Sequence, residues 1–275
     1  MLIWTTSDGQ LAKLKGTWIS SSNDFIVIKD TTTTEIDNDN FIFTAADWAD
    51  GMTFRIVGDT LSFQNFSYLN NYNWTSDRYD FLLISLTDST LTVNPSSELS
   101  KKLFKNRTNL KFINQKNNID PTISFEKLIY RTTESGIGNS PKIEMQIDST
   151  KKIYFRGTIY KGDFFSREID DLQSGEFTGI LNDTLYNELI HLLQTCSLRT
   201  LNLQYEDPLI DDASIITLII YYNGQRKCLR SPGYPILLSQ LIEYLYSLNQ
   251  RATLPRTNEM RELEYCNPEG ATKNR

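Results

Sequence analysis

The sequence predicts a mainly β protein whose second half is α+β, and three features indicate this. Short apolar or alternating runs separated by polar turns fill about the first 120 residues, a spacing typical of an antiparallel barrel or sandwich. Phe and Tyr occur 14 times each, beside many threonines, and these residues favour strands. Further on, strand-like pairs are interleaved with two stretches of helical periodicity, which predicts an antiparallel sheet covered by two helices.

The first half contains about eight short strand-like runs, and two hairpins order them. The alternating runs 52–57 and 61–63 flank a Gly-Asp turn, which predicts a β-hairpin. A second hairpin is predicted over 81–93, where two apolar runs enclose the polar turn Thr-Asp-Ser-Thr. Eight antiparallel strands of this spacing predict a small β-barrel.

This region resembles bacterial lipocalin-like domains over about residues 11–116. The resemblance is carried by Leu14-x-Gly16-x-Trp18, by the hairpin at 57–61 and by the run 81–93. It implies that Trp18 closes the base of the barrel and that the cup can hold a small apolar ligand. An eight-stranded barrel can also be filled by its own side chains. An open interior that holds a ligand and a filled interior are therefore both kept as alternatives.

A polar stretch that ends in proline, residues 114–121, predicts the domain boundary. We therefore expect a β-barrel domain at 1–118 and an α+β domain at 119–250. The remainder, 251–275, is rich in Pro, Asn and Glu without an apolar stripe, which predicts a mobile tail.

The second domain is organised around the stretch 175–196. Asn182 is a good helix N-cap. Apolar residues then recur on one face of a 3.6-residue helix, namely Leu185, Leu189, Leu192, Leu193 and Cys196. Residues 215–222 are apolar on both faces, so we expect a central strand covered on both sides. Asn223-Gly224 predicts a tight hairpin after that strand, and a second amphipathic helix is expected to end near Asn249.

The order of these elements over about 141–250 resembles an uncharacterised bacterial α+β family. The resemblance implies a fold and no particular activity. Members usually carry a Cys-containing segment before the first strand, where this chain has Gly-Ile-Gly-Asn-Ser-Pro at 136–141. Redox or metal chemistry at that segment is therefore not implied for this chain.

The three cysteines, Cys196, Cys228 and Cys266, are odd in number and lack close metal-type spacing. We expect two core thiols and one thiol in the tail. The only histidine, His191, falls opposite the leucine stripe of the predicted helix, which indicates a solvated residue and disfavours a His-based triad or zinc site. The sequence therefore predicts a protein that is not an enzyme and that has no metal and no cofactor. Among the possible functions, an enzyme ranks third, after a protein-binding protein and a ligand carrier.

Charge indicates the kind of partner. The net charge is −6, which argues against nucleic acid. Residues 24–59 hold eight acidic and two basic side chains, so they would steer a partner with a basic surface. An aromatic cluster follows, and Tyr and Trp anchor interfaces. The predicted partner-binding residues are Asp37, Asp39, Asp47, Asp50, Tyr68, Tyr72 and Trp74.

We therefore expect a non-enzymatic bacterial binding protein that recognises a basic protein, with a toxin-neutralising immunity protein as its specific form. The alternative is an envelope carrier that holds a small apolar ligand in the barrel. The first residues lack a signal peptide, and no stretch approaches the roughly 20 apolar residues of a membrane span. This predicts a cytoplasmic protein, or an envelope protein if an export signal has been removed.

Overall fold

The computed structural model confirms a mostly β chain with an eight-stranded antiparallel sheet and a second sheet accompanied by helices. It divides into two compact units, 1–118 and 119–275. The structure describes residues 12–29, 40–43, 51–69, 73–134, 140–162, 168–201 and 214–266, apart from the side chains at 43, 66–69 and 73–75.

The first unit is one curled antiparallel sheet with the strand order β3-β2-β1-β8-β7-β6-β5-β4. Its strands are β1 Gly16–Ser20, β2 Phe25–Ile28, β3 Phe41–Phe43, β4 Thr53–Val57, β5 Thr60–Leu69, β6 Asn73–Leu86, β7 Thr90–Pro95 and β8 Leu110–Asn114. Both predicted hairpins form, as β4–β5 and β6–β7. The two ends of the sheet meet where Asn40 and Met52 exchange backbone hydrogen bonds of 3.3 and 2.8 Å.

Aromatic side chains form a large part of the buried core of this sheet. Successive ring centroids lie 4.9, 6.0, 5.5 and 6.4 Å apart along the buried chain Phe54, Phe63, Phe81, Phe104 and Phe112. Trp18 is also fully buried, and its indole Nε1 donates to the carbonyl of Leu14 (2.7 Å). Phe104 follows a short helix, α1 Glu98–Leu103, which the sequence did not predict.

The second unit is a six-stranded antiparallel sheet in the order β14-β11-β10-β9-β15-β16. Its strands are β9 Phe125–Thr132, β10 Lys142–Asp148, β11 Lys152–Thr158, β14 Gly175–Ile180, β15 Ile216–Tyr222 and β16 Gln225–Ser231, and β12 Tyr160–Lys161 pairs separately with β13 Glu168–Ile169. Two helices, α2 Asp183–Thr195 and α3 Ser239–Arg251, accompany this sheet.

The predicted start and apolar face of α2 are confirmed. The Asn182 side chain accepts from the backbone N–H of Leu185 (2.9 Å), which caps the helix. Leu185, Leu189, Leu193 and Cys196 are buried, and Leu192, the fifth member of the predicted stripe, is half-buried. The Tyr244 hydroxyl of α3 donates to the carbonyl of Leu185 (2.7 Å) and ties the two helices together.

A C-terminal segment covers the other face of the sheet. We call residues 252–266 the strap. Beside the edge strand β14, Thr178 N–H donates to the carbonyl of Pro255 (3.1 Å) and Thr257 N–H to that of Glu176 (3.0 Å). Further on, Leu263 packs with Ile129, Tyr154 and Ile219, side chains of three separate strands. Because side chains alternate along a strand, Ile129 faces the strap while Tyr130 faces the helices.

Polar contacts and a disulfide hold the end of the strap. The Tyr221 hydroxyl donates to the Glu264 carboxylate (2.6 Å), and Arg226 Nε donates to the same group (2.9 Å). Cys228 and Cys266 form a disulfide, with Cα atoms 5.9 Å apart, within the range usual for such bonds.

These contacts correct two predictions. Residues 252–266 are hydrogen-bonded and packed on the sheet, whereas the sequence predicted a mobile tail over 251–275. The last part of that prediction, 267–275, lies outside the described residues. The expectation of three thiols is also wrong, because the antiparallel register puts Cys228 beside Ile219 on the face that the strap crosses. Cys196 remains a buried free thiol, and burial raises its pKa to about 12.

Candidate functional site

The second unit contains a cavity of about 470 Å³ between one end of its sheet and the helix α3. Three tyrosines and one carboxylate line it, with isoleucine, proline, serine and threonine side chains between them. We call this cavity the tyrosine pocket, after Tyr130, Tyr234 and Tyr246; Glu243 supplies the carboxylate.

Strand alternation and a local hydrogen-bond pair position the sheet side of the pocket. Tyr130 and Thr132 stand two residues apart on β9, so both point to the helix-covered face. The Thr132 hydroxyl donates to the carbonyl of Pro141 (2.7 Å) and accepts from the backbone N–H of Ile143 (3.0 Å). These two bonds fix the chain at Pro141, which is another wall of the cavity.

Helical spacing positions the opposite side. Glu243 and Tyr246 are three residues apart on α3, so their side chains are neighbours on one helix surface. Ile242 is buried against the sheet and forms the apolar wall beside them. Tyr234 comes from the turn between β16 and α3. Tyr234 and Tyr246 keep 38% and 44% of their surface exposed, so they form the mouth of the pocket.

Tyr130 is the most unusual residue of the pocket. It is 0% exposed, yet its hydroxyl has no hydrogen-bond partner among the residues that the structure describes. A buried polar group without a partner costs about 1–3 kcal/mol, and native structures contain few of them. Tyr130 also lines the cavity, so a molecule bound there can supply the missing hydrogen bond once it reaches this side chain.

The pocket hydroxyls are neutral over the physiological pH range. Burial raises the pKa of Tyr130 far above its usual value, and the nearby hydroxyls of Tyr246 and Tyr234 raise it further. Burial also raises the pKa of Tyr246 and, together with the Glu243 carboxylate, that of Tyr234. Tyr130 is therefore within electrostatic reach of Tyr234 and Tyr246, and Tyr234 is within electrostatic reach of Glu243.

The predicted partner-binding residues lie elsewhere in the chain. Asp37, Asp39, Asp47, Asp50 and Tyr72 fall outside the described residues. The backbones of Tyr68 and Trp74 pair across β5 and β6, and their side chains also fall outside the description. All seven assignments therefore stay predictions.

One acid of the same segment has an internal role. Asp24 is 2% exposed, and its carboxylate accepts from the Ser20 hydroxyl (2.7 Å) and from Arg107 Nη2 (2.9 Å). Its charge is compensated inside the first unit, so Asp24 does not contribute to a surface that would attract a basic partner.

His191 is exposed on α2, as the position of the leucine stripe predicted. Within the described ranges, no group of three or more His, Cys, Asp or Glu side chains could hold a metal ion. In the same part of the chain, no helix has the length and apolar character needed to cross a membrane.

Comparison with known proteins finds no matching family model, no matching curated protein and no matching solved structure. The lipocalin-like resemblance and the resemblance of the second half to an α+β family therefore stay predictions. The function has to be inferred from the geometry of the chain itself.

Sequence reasoning missed the tyrosine pocket because its parts are far apart in the chain. Tyr130 is on β9, whereas Tyr234 and Tyr246 follow β16 more than 100 residues later. No local spacing links them. The usable signal was Tyr130 itself, whose polar hydroxyl follows the apolar pair Leu128-Ile129 in a strand that is buried over most of its length.

Proposed function

We propose that the protein is a non-enzymatic binding protein that holds a small organic molecule in the tyrosine pocket. The observation that carries this proposal is Tyr130, which lines a cavity of about 470 Å³ and whose buried hydroxyl has no hydrogen-bond partner among the described residues. Small-molecule sites are typically cavities of about 300–1,000 Å³ with apolar walls and a few convergent polar groups. The tyrosine pocket has this size and composition.

The chemistry of the pocket supports binding rather than catalysis. Because the pKa of each of its three tyrosine hydroxyls is raised, these groups stay protonated at neutral pH. They can donate and accept hydrogen bonds, but they are poor bases and poor nucleophiles. A general base would need a pKa close to the working pH.

The second unit is a better ligand site than the interior of the first. The buried phenylalanine rings of the first unit pack on one another and form part of the buried core of its sheet. This packing supports an interior that is filled by the protein's own side chains. It argues against a carrier that holds an apolar ligand inside the sheet of the first unit. Recognition of a basic protein stays a prediction beside the pocket.

A matched pair of variants tests the proposal. Ligands for the full chain are first found by NMR with a set of neutral, cationic and anionic small molecules. Tyr130→Phe should lower the affinity for the ligand about 2–10-fold, because it removes one neutral hydrogen bond. Tyr222→Phe is the control, because Tyr222 is also buried with an unpartnered hydroxyl but does not line the pocket.

Both variants should fold with unchanged or higher stability, because each removes a buried polar atom that has no partner. Binding at the tyrosine pocket would be contradicted if the two substitutions lowered the affinity for the ligand equally. It would also be contradicted if neither substitution lowered it. Failure of every class of molecule to bind would contradict the function as a whole.

A further inference from the structure

We infer that the tyrosine pocket recognises an organic cation, an alkylated ammonium group carried on a small organic body. This inference rests on the proposed function and names the class of its ligand. It is drawn from the charge, the aromatic character and the shape of the pocket.

The charge of the pocket is negative. Glu243 is the only charged side chain among the described residues that line it. Within that part of the chain, Glu243 forms no ion pair and no hydrogen bond with the protein. An anionic ligand would meet this carboxylate without a compensating base, whereas a cation would be attracted to it.

The aromatic lining favours a particular kind of cation. Three tyrosine rings surround the cavity, one on the sheet and two at the mouth. An ammonium group over the face of an aromatic ring is attracted by the ring quadrupole, and cages of several rings are the usual sites for alkylated ammonium groups. A strongly hydrated metal ion would gain little here, since hard cations prefer several oxygen ligands.

The remaining walls accept the body of the ligand. Ile216 and Ile242 offer apolar surface, and the cavity of about 470 Å³ is larger than an ammonium head group alone. The Tyr130 hydroxyl, which has no partner in the described part of the chain, can bond to a hydroxyl or amide on that body. A ligand with a cationic head, a short apolar chain and one polar group would satisfy all three features.

Choline and its neutral isostere, 3,3-dimethylbutan-1-ol, separate charge from shape because both carry the same three methyl groups and a hydroxyl. Titration of each into the full chain by NMR should give at least tenfold tighter binding of choline. Glu243→Gln should weaken the binding of choline about tenfold and leave the affinity for the isostere unchanged. Glu262→Gln, at an exposed acid on the strap, is the control and should alter neither.

Alkylated ammonium groups also occur on modified lysine side chains, so a trimethyllysine peptide forms a second arm. Binding of choline supports a small quaternary ammonium compound as the source, and binding of the peptide alone supports the same chemistry presented by a protein. Equal affinity for choline and its isostere would overturn the cation inference. The cation inference would also be overturned if only neutral or anionic molecules bound and their binding depended on Tyr130. In that case the proposed function, small-molecule binding in the tyrosine pocket, would stand.

Discussion

Leu189 shows how one residue of the leucine stripe contributes to the second unit. Its side chain is fully buried on α2, on the face that the sequence predicted. Leu189→Ala should lower the free energy of unfolding by about 2–5 kcal/mol, because it removes buried methyl groups and leaves a cavity. Denaturant unfolding of the full chain measures this loss. Leu172→Ala, at a side chain that is 87% exposed, should change little, and equal losses in both variants would contradict the packing of α2.

The helices and hairpins that depend on contacts between residues close in sequence were predicted from local patterns. The α2 helix has its cap and its stripe within 15 residues, and the Asn223-Gly224 hairpin has both residues at positive φ, 50° and 69°, as its turn type requires. The strap has no such pattern, because its contacts are with strands more than 30 residues away. Residues 215–222 did carry a signal: their apolar character on both faces predicted a second cover, which is the strap.

The disulfide is expected to hold the strap on the sheet. Cys228 and Cys266 close a loop with a sequence separation of 38 residues, for which the chain-entropy estimate is about 4 kcal/mol of stabilisation. The Cys228→Ser/Cys266→Ser variant should therefore melt at a lower temperature than the oxidised protein, as measured by calorimetry. A reductant should lower the melting temperature of the parent and leave that of the variant unchanged. A reductant that shifts both equally, or neither, would contradict a stabilising disulfide.

At the scale of the whole molecule, the tyrosine pocket could not be predicted because it exists only after the sheet and α3 have assembled. Its polar groups, Tyr130, Tyr234, Glu243 and Tyr246, come from a strand, a turn and a helix. Tyr234, Glu243 and Tyr246 are each ordinary residues of their elements, and Tyr130 alone does not indicate a cavity. The register of β9 with β15, in which Tyr130 stands opposite Leu218, and the placement of α3 on that face bring them to one cavity. Such a site follows from tertiary packing, for which no local spacing is diagnostic.

The state of the three cysteines connects the fold to the compartment in which the protein matures. Disulfides persist in oxidising compartments and are rare in the cytosol, so the redox state of Cys228 and Cys266 in the host tests the cytoplasmic location expected from the sequence. Protein taken from its host and denatured with an alkylating agent should carry one label, at Cys196, and three labels after reduction. A Cys228→Ser variant should carry two labels before and after reduction, because Cys266 then has no partner. Three labels on the parent before reduction would show that both cysteines are reduced in the host, and the cytoplasmic expectation would then hold.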